Sequence, residues 1–352
     1  MPDMTQQLEA QVLAAKEGKT KLNIVGGNSK HFLGREPEGE PLNISEHSGI
    51  VDYQPVELVL TARAGTSLKE IEAALDDQGQ MLAFEPPHLG ETDTLGGTLA
   101  CNLSGPSRPW GGSIRDHVLG VRLINGRGEH LRFGGQVMKN VAGYDVSRLQ
   151  AGAMGTLGAI TEVSLKVLPK HAHSVTIGQE ISAPEAIQLM NERAGKAKPL
   201  TAACWIEGKL YMRLAGAKSA VEATLKQWSG AQVDDADQFW RSLNDQQNNY
   251  FDGEEMLWRF SINPTASLDL DIEKQLIDWG GAQRWYRGDA SAEEMQAIAS
   301  AAGGQVSLFK GGDRSGEVFH EQPEALKRIQ TRLKQSFDPD GIFNSGRLYS
   351  WL

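Results

Sequence analysis

The chain has 352 residues, enough for two domains, and its 40% hydrophobic and 23% charged residues are an ordinary globular balance that excludes a fibrous or disordered polypeptide. Asp plus Glu outnumber Lys plus Arg by 45 to 35, a formal charge of −10, which speaks against nucleic acid because that binding runs on basic patches. No apolar run reaches 18 residues and the first residues carry acids where a signal peptide carries bases, so the expected place is the cytoplasm, with docking on a membrane-bound partner left open.

In chain order, Asp3-x-x-Gln6 reads as a capping box opening a helix with Leu8, Val12 and Ala15 on one face, and Gly18 stands at its stop. Residues 21–25 (KLNIV) have strand character and enter a tight polar loop, Gly26 to His31, whose residues read either as a phosphate loop with one cation, Lys30, or as a plain connector. Residues 56–64 read as a strand, and Ser67-x-x-Glu70 caps a helix with Leu68, Ile71 and Leu75 inward, ending near Gly79. Pro86-Pro87 forces an extended entry to a glycine-dense window, 86–160, that holds 15 of the 39 glycines. Inside it, TLGGTLACNLSG from Thr94 reads as a small-residue turn whose bare N–H groups suit an anion such as a diphosphate. Val118–Ile124, Asn125-Gly126 and Glu129–Phe133 give a hairpin, Gly152 to Gly158 a further turn, and Val163, Leu165 and Val167 a half-buried strand ending at Pro169.

After Pro169 the glycines thin out, which marks a boundary. Strands at 175–181, 201–206 and 210–214 with helices at 184–193 and 218–228 give a β-α-β-β-α order. A related cycle follows: a strand at 256–262, a helix near Leu268–Trp279, a short strand at 283–287, a helix opened by Ser291-x-x-Glu294 and a strand at 305–309. This predicts an α+β chain: a domain over 1–170, a ferredoxin-like module over 171–335, and a turn-rich tail, 336–352, that folds back. The GxGxxG of a simple dinucleotide-binding βαβ unit is missing.

Three stretches, GGNSK, TLGGTLACNLSG with WGGSIRDHV, and KNVAGYDVSRL with GAMGTLGAITEVSLKVLP, jointly resemble the FAD-binding domain of the p-cresol methylhydroxylase and vanillyl-alcohol oxidase type, and FDPDGIFNSGRL resembles the end of the FAD-linked oxidases. Within that family the wording is most similar to the smaller flavin-binding subunits of multi-subunit glycolate (2-hydroxy-acid) dehydrogenases. The resemblance implies FAD as cofactor, a two-subdomain FAD-binding domain followed by a reduced cap domain, and work beside a larger FAD subunit and an iron–sulfur subunit on a small 2-hydroxy acid. Carried over by residue, it implies a first diphosphate loop of Gly26, Gly27, Asn28, Ser29 and Lys30. It implies a second of Gly96, Gly97, Thr98, Asn102 and Ser104, and a flavin-side stretch of Gly152, Gly155, Thr156, Gly158 and Ile160. The His-rich, Gly-Asp-Gly-Asn metal motif of full-length α-hydroxy-acid members is absent; the nearest text is VSLFKGGDRSGEVFH.

Oxidising a 2-hydroxy acid calls for a cation to hold the carboxylate and a base near the hydroxyl. Candidate cations are Arg259, Arg284, Arg287 and Arg347, and candidate bases His31, His88, His117 and His320. Lys139-Asn140 and Tyr144-Asp145 read equally as flavin-edge contacts or a packed polar turn, Arg115-Asp116 as an internal ion pair, and His171-x-His173 as solvated. No metal ligand set is expected, and two cysteines, Cys101 and Cys204, are too few for a four-cysteine cluster. The alternative function is a structural subunit that keeps the flavin fold for shape; a sugar-nucleotide reductase on the same flavin domain is disfavoured by FNSGRL.

Overall fold

A computed structural model describes residues 3–136 and 145–352. Lys139, Asn140 and Tyr144 lie outside the described residues.

Helix α1 (Thr5–Gly18) buries Leu8, Val12 and Ala15 as its spacing requires. Its ends correct the expectation: Met4 is the cap, Asp3 accepts the Thr5 N–H at 3.0 Å, and Lys19 rather than Gly18 takes the left-handed turn at φ 53°. Strand β1 (Leu22–Val25) runs parallel to β2 (Glu40–Asn43). The tail forms β1's other neighbour, with Leu22 N–H donating to Ile342 O (2.6 Å) and Asn344 N–H to Leu22 O (2.9 Å).

Strands β3 (Ile50–Gln54) and β4 (Val59–Arg63) open an antiparallel sheet. The strand expected from residue 56 starts only at Val59, because Pro55–Leu58 form a turn with Leu58 at φ 57°. Helix α2 (Leu68–Asp76) is capped by Ser67, whose Oγ accepts the Glu70 N–H at 3.1 Å, and it buries Leu68, Ile71 and Leu75. A two-residue strand β5 (Gln80–Met81) precedes helix α3 (Leu95–Cys101) and the one-turn helices α4 (Arg108–Gly111) and α5 (Ile114–His117). The hairpin of β6 (Val118–Ile124) and β7 (His130–Gly134) has a five-residue loop, because Asn125 Oδ1 accepts the N–H groups of Arg127 and Glu129. Strand β8 (Ala159–Lys166) completes the sheet in the order β3-β4-β8-β6-β7, and β9 (Leu168–Pro169) pairs with β5.

The rest of the chain forms one eight-stranded sheet. Its first half is β10 (His173–Glu180), α6 (Ala183–Ala194), β11 (Leu200–Ile206), β12 (Lys209–Gly216), α7 (Lys218–Leu225) and β13 (Ala231–Gln232), followed by helix α8 (Ala236–Asn244). The second is β14 (Leu257–Ser261), β15 (Gln275–Asp278), β16 (Gln283–Arg287), α9 (Ala292–Ala301) and β17 (Gln305–Lys310), with helix α10 (Glu324–Phe337) leading to the tail. The order β13-β10-β12-β11-β15-β16-β14-β17 sets two ferredoxin-like halves side by side, joined where Trp205 of β11 faces Ile277 of β15.

The helix expected near Leu268–Trp279 is absent from the second half. A 3₁₀ turn, Ile272–Lys274, and β15 stand there, with all four β15 residues buried in mid-sheet. The first half's α6 reaches across that region, its Asn191 Nδ2 donating to Gly280 O at 3.2 Å, and α9 is the helix that the second half keeps.

Strand alternation divides the faces of this sheet. Ala203 and Trp205 join Met190 of α6 and Val221 of α7, and Phe260 and Val306 join Met295 of α9. On the opposite face Ala202, Cys204, Leu257, Leu276, Trp285 and Phe309 meet Leu33, Leu103 and Met154 of the first region. An apolar layer therefore joins the two regions, and the glycine-bearing segments lie beside it.

Candidate functional site

A cleft of about 830 Å³, its open mouth counted, runs between the loop after β1, helix α3, the turn before β8 and the tail. Its walls include Gly26, Gly27, Asn28, Ser29, Lys30, Gly96, Gly97, Gly155, Gly158 and Ile160. Four segments far apart in sequence thus share one space.

The loop after β1 supplies the polar side. Its main-chain N–H groups from Gly26 to Lys30 have no acceptor among the described residues. Asn28 is left-handed at φ 61°, and a left-handed residue within such a loop is a feature of backbone turns whose amides receive an anion. Gly27 is obligatory, since a β-carbon there would stand 1.4 Å from Thr92 O. The Thr92 hydroxyl donates to Gly27 O and holds the loop in place.

Lys30 corrects the sequence reading. Its ammonium is buried in an ion pair with the equally buried Asp93, which also accepts from Ser29 Oγ and, at 3.1 Å, from the Gly90 N–H. A buried pair of this kind fixes the loop and gives the cleft no free charge.

The second stretch is also corrected: TLGGTLAC is helix α3, not a turn, and its leading amides are taken. Leu95 N–H donates to Thr66 O (2.9 Å), Gly96 N–H to Ala64 O (2.8 Å) and Gly97 N–H to the cap Thr94 Oγ1 (3.2 Å). Bare N–H groups therefore come from the first loop, whereas the second stretch contributes closeness of approach. A β-carbon on Gly96 would press to 2.7 Å on Ala64 Cβ. Thr98, Asn102 and Ser104 lie off the wall: Thr98 Oγ1 bonds Thr94 O, Asn102 is the left-handed C-cap of α3, and Ser104 Oγ accepts the Ile114 N–H.

In the third stretch Gly152, Met154, Gly155 and Gly158 all have positive φ. The turn is pinned to α3 by Gly152 N–H to Leu99 O and Met154 N–H to Ala100 O. Gly152 and Thr156 lie behind the wall, and Thr156 O receives the Lys334 ammonium at 2.8 Å. That ammonium also meets Phe343 O and Asp338 Oδ2, a buried clasp between α10, the turn and the tail.

The sequence reading has the tail folding back to the flavin domain and offers Arg347 as a carboxylate cation, but it does not single out Asn344. Asn344 Oδ1 accepts the Ile24 N–H (2.7 Å) and its Nδ2 donates to Met154 O (2.6 Å), while Arg347 donates to His31 O at 2.9 Å. Both line the cleft. The turn-rich FNSGR text was the available signal, but nothing local told which strand it would meet.

The other candidates are scattered. Arg284 donates to Gly281, Pro264 and Ala266 carbonyls, and Arg287 to those of Tyr250, Gly253 and Glu255, so both hold backbone. His117 bridges Lys166 O and Gly111 O, and His320 lies against Ser300 and Val306. His88 pairs with Glu72 at 3.0 Å, and that hydrogen bond holds its pKa above the usual range. His31 lines the cleft; His171 is exposed and His173 half-buried on β10. Asp116 closes a capping box on Ser113 in place of the ion pair expected with Arg115. Cys101 reaches the cleft wall, its thiol pushed up by burial, and no group of three metal-binding side chains occurs among the described residues.

Comparison with known proteins places this architecture. Residues 1–134 match a family model described as an FAD binding domain. The glycolate oxidase subunit GlcE of Escherichia coli K12 is 48% identical over 99% of this chain and 99% of its own. This chain belongs to the GlcE family. The glycolate oxidase subunit GlcD of Bacillus subtilis is 32% identical over 34% of this chain and 26% of its own, and a D-lactate dehydrogenase of Archaeoglobus fulgidus 30% over 48% and 38%. An alkyldihydroxyacetonephosphate synthase structure shares the fold, with a TM-score of 0.66 at 15% identity over 97% of this chain and 75% of that one.

The fold is that of FAD-linked oxidases and the cofactor is FAD. The cleft fits it, since a row of free amides answers a diphosphate without a basic cluster and the glycine walls admit a flat, extended guest. Several walls, Gly155, Gly158, Ile160, Asn344 and Arg347, lie beyond the matched residues. No helix of the described residues is long and apolar enough to cross a membrane.

Proposed function

We propose that this chain is the FAD-binding subunit of a multi-subunit glycolate dehydrogenase, taking part in the oxidation of glycolate to glyoxylate and passing electrons to partners. The observation that carries the reading is the row of unpaired N–H groups from Gly26 to Lys30, facing a cleft that glycines keep open. Similarity to a glycolate oxidase subunit along nearly the whole chain supports the substrate class, and the D-lactate dehydrogenase match supports 2-hydroxy acids generally.

Bound FAD supplies a two-electron acceptor for a 2-hydroxy acid. The chain's own part is to hold the dinucleotide. Loop 26–30 receives the diphosphate, with Gly96 and Gly97 closing one wall; Gly155, Gly158, Ile160 and Asn344 flank the rest. We assign the supporting roles to Thr98, Asn102, Ser104, Gly152 and Thr156, which shape α3 and the turn from behind. The division into an FAD-binding domain over 1–170, a cap or subunit-contact domain over 171–335 and a returning tail over 336–352 belongs to the same proposal. The names of the relatives, subunits of a glycolate oxidase, support partner subunits, and we assign these as a larger FAD subunit and an iron–sulfur subunit that takes the electrons onward.

Purified chain examined for flavin absorbance tests this directly. Stoichiometric FAD in the chain, and bleaching by glycolate within the native complex, are the expected results. A chain that takes up no FAD would leave the structural-subunit reading.

A further inference from the structure

A second, smaller cavity lies at the far end of helix α3. The helix lines the FAD cleft with Gly96, Gly97, Ala100 and Cys101, and the chain then runs through its C-cap, Asn102, into Leu103, Ser104, Gly105 and Pro106, which wall this cavity. The opposite wall is the sheet face that meets the first region. It brings Arg259 of β14, Asp278 of β15, and Gln283 and Trp285 of β16 into one space. Room for water-sized guests is about 30 Å³, or about 360 Å³ with the mouth and crevices counted, which suits a compact acid and excludes a nucleotide.

The chemistry of the lining is unusual for an apolar layer. Arg259 donates through Nε to Gln283 Oε1 at 2.6 Å, and its other N–H groups have no acceptor among the described residues. Its guanidinium lies 5.1 Å from the Trp279 ring centre and 5.8 Å from that of Trp285, so the aromatic faces orient it. Asp278 is buried, accepting the Trp279 N–H at 2.7 Å and Gln283 Nε2 at 3.3 Å, and makes no ion pair with Arg259 within 4.0 Å. Gln283 thus bridges a cation and an acid that stay apart. A planar fork of free donors in a cavity is what a carboxylate recognises.

We propose that this cavity binds a small 2-hydroxy carboxylate, the acid's carboxylate on Arg259 and its hydroxyl sharing a proton with Asp278. The inference rests on the glycolate reading above and names the residues that would recognise that substrate. It separates Arg259 from Arg284 and Arg287, each of which donates to three backbone carbonyls.

Burial pushes the Asp278 carboxyl up to about 7, so it gains and loses its proton across neutrality. The charged or titratable groups around it are Glu85 in the loop after β5, Arg259 on β14 and the Cys204 thiol on β11. Burial first, and then Arg108, lower Arg259 to about 10, so it remains a cation at neutral pH. An incoming anion favours the protonated acid, and affinity should therefore fall as pH rises.

The test uses FAD-loaded full-length chain, with glycolate as the probe and tryptophan fluorescence as the readout, since Trp279 and Trp285 flank the arginine. Saturable quenching by glycolate is expected, with affinity about tenfold weaker at pH 8 than at pH 6 from the titration of one group near 7. Arg259→Met should weaken binding at least tenfold, and Asp278→Asn should keep binding but flatten the pH profile. Acetate and ethylene glycol, each lacking one of the two functions, should bind more weakly. Absence of a saturable response in FAD-replete wild-type chain overturns the inference, as does a flat wild-type pH profile or an Arg259→Met variant that binds normally. The wild-type measurements decide the matter even where a variant fails to fold. FAD content, read separately from absorbance, distinguishes this failure from failure of the flavin reading itself.

Discussion

Replacing Gly27 with alanine tests the amide-row account most sharply. The added carbon would stand 1.4 Å from Thr92 O and 2.5 Å from Thr92 C, both backbone atoms that no rotamer change can move. Non-bonded carbon contacts settle at roughly 3.5 Å, so the loop and the Thr92 segment must part by about 2 Å. A shift of that size carries Gly26–Lys30 off the cleft wall and pulls Ser29 and Lys30 from Asp93. Losing two amide bonds to a charged diphosphate, at about 1.5–3 kcal/mol each, totals about 3–6 kcal/mol, or about 10²- to 10⁴-fold in Kd. The assay is FAD titration of apoprotein by flavin fluorescence, with a melting curve beside it. Gly316→Ala is the control, since no atom lies within 4 Å of a β-carbon at that position. If Gly27→Ala binds FAD within threefold of wild type and melts at the same temperature, the amide row is not the diphosphate site and the argument from it fails.

Lys334→Met should lower stability by about 3–5 kcal/mol by urea unfolding, because it leaves Asp338 buried without its partner. The double variant Lys334→Met/Asp338→Leu should recover part of that loss. For His88, Glu72 raises the folded pKa, so the stabilisation is full below the ordinary value of 6.5 and disappears as pH rises through the folded value. Glu72→Gln should therefore lower the melting temperature at pH 5.5 and leave it unchanged at pH 9, by no more than ~1 kcal/mol because both side chains are partly exposed. Arg284→Met should destabilise the chain by about 3 kcal/mol through three carbonyls left unbonded, with glycolate affinity of the folded fraction unchanged; a selective loss of glycolate binding would refute its structural role.

What could be read from the sequence was local. Ser67-x-x-Glu70 announces α2 because cap, acid and apolar spacing all lie within nine residues, and the structure places each as the pattern requires. The first glycine loop was legible for the same reason, a strand running into residues too small to do anything but turn. TLGGTLAC misled because glycine is read as turn wherever it is dense. Here the glycines are helical because α3 must approach Ala64 closely, a requirement that exists only once β4 is in place. The stretch at 268–279 failed likewise: its apolar residues fit a helix, but mid-sheet burial between β11 and β16 made Gln275–Asp278 a strand.

The contacts hardest to foresee are those that complete the cleft. Asn344 joins Ile24 and Met154, partners 320 and 190 positions away, and Lys334 reaches Thr156 across 178. Closing such loops costs entropy that only a well-bonded destination offsets. The structure provides one: Asn344 uses both ends of its amide, its own N–H continues the ladder on Leu22, and the Lys334 ammonium meets three oxygens. The residues matched as an FAD binding domain, 1–134, therefore include the amide row but not the far wall. Since Gly155 and Asn344 meet only when the tail has returned, the far wall of the cleft is built from segments on either side of the eight-stranded sheet, which ties the shape of the cofactor site to the whole chain.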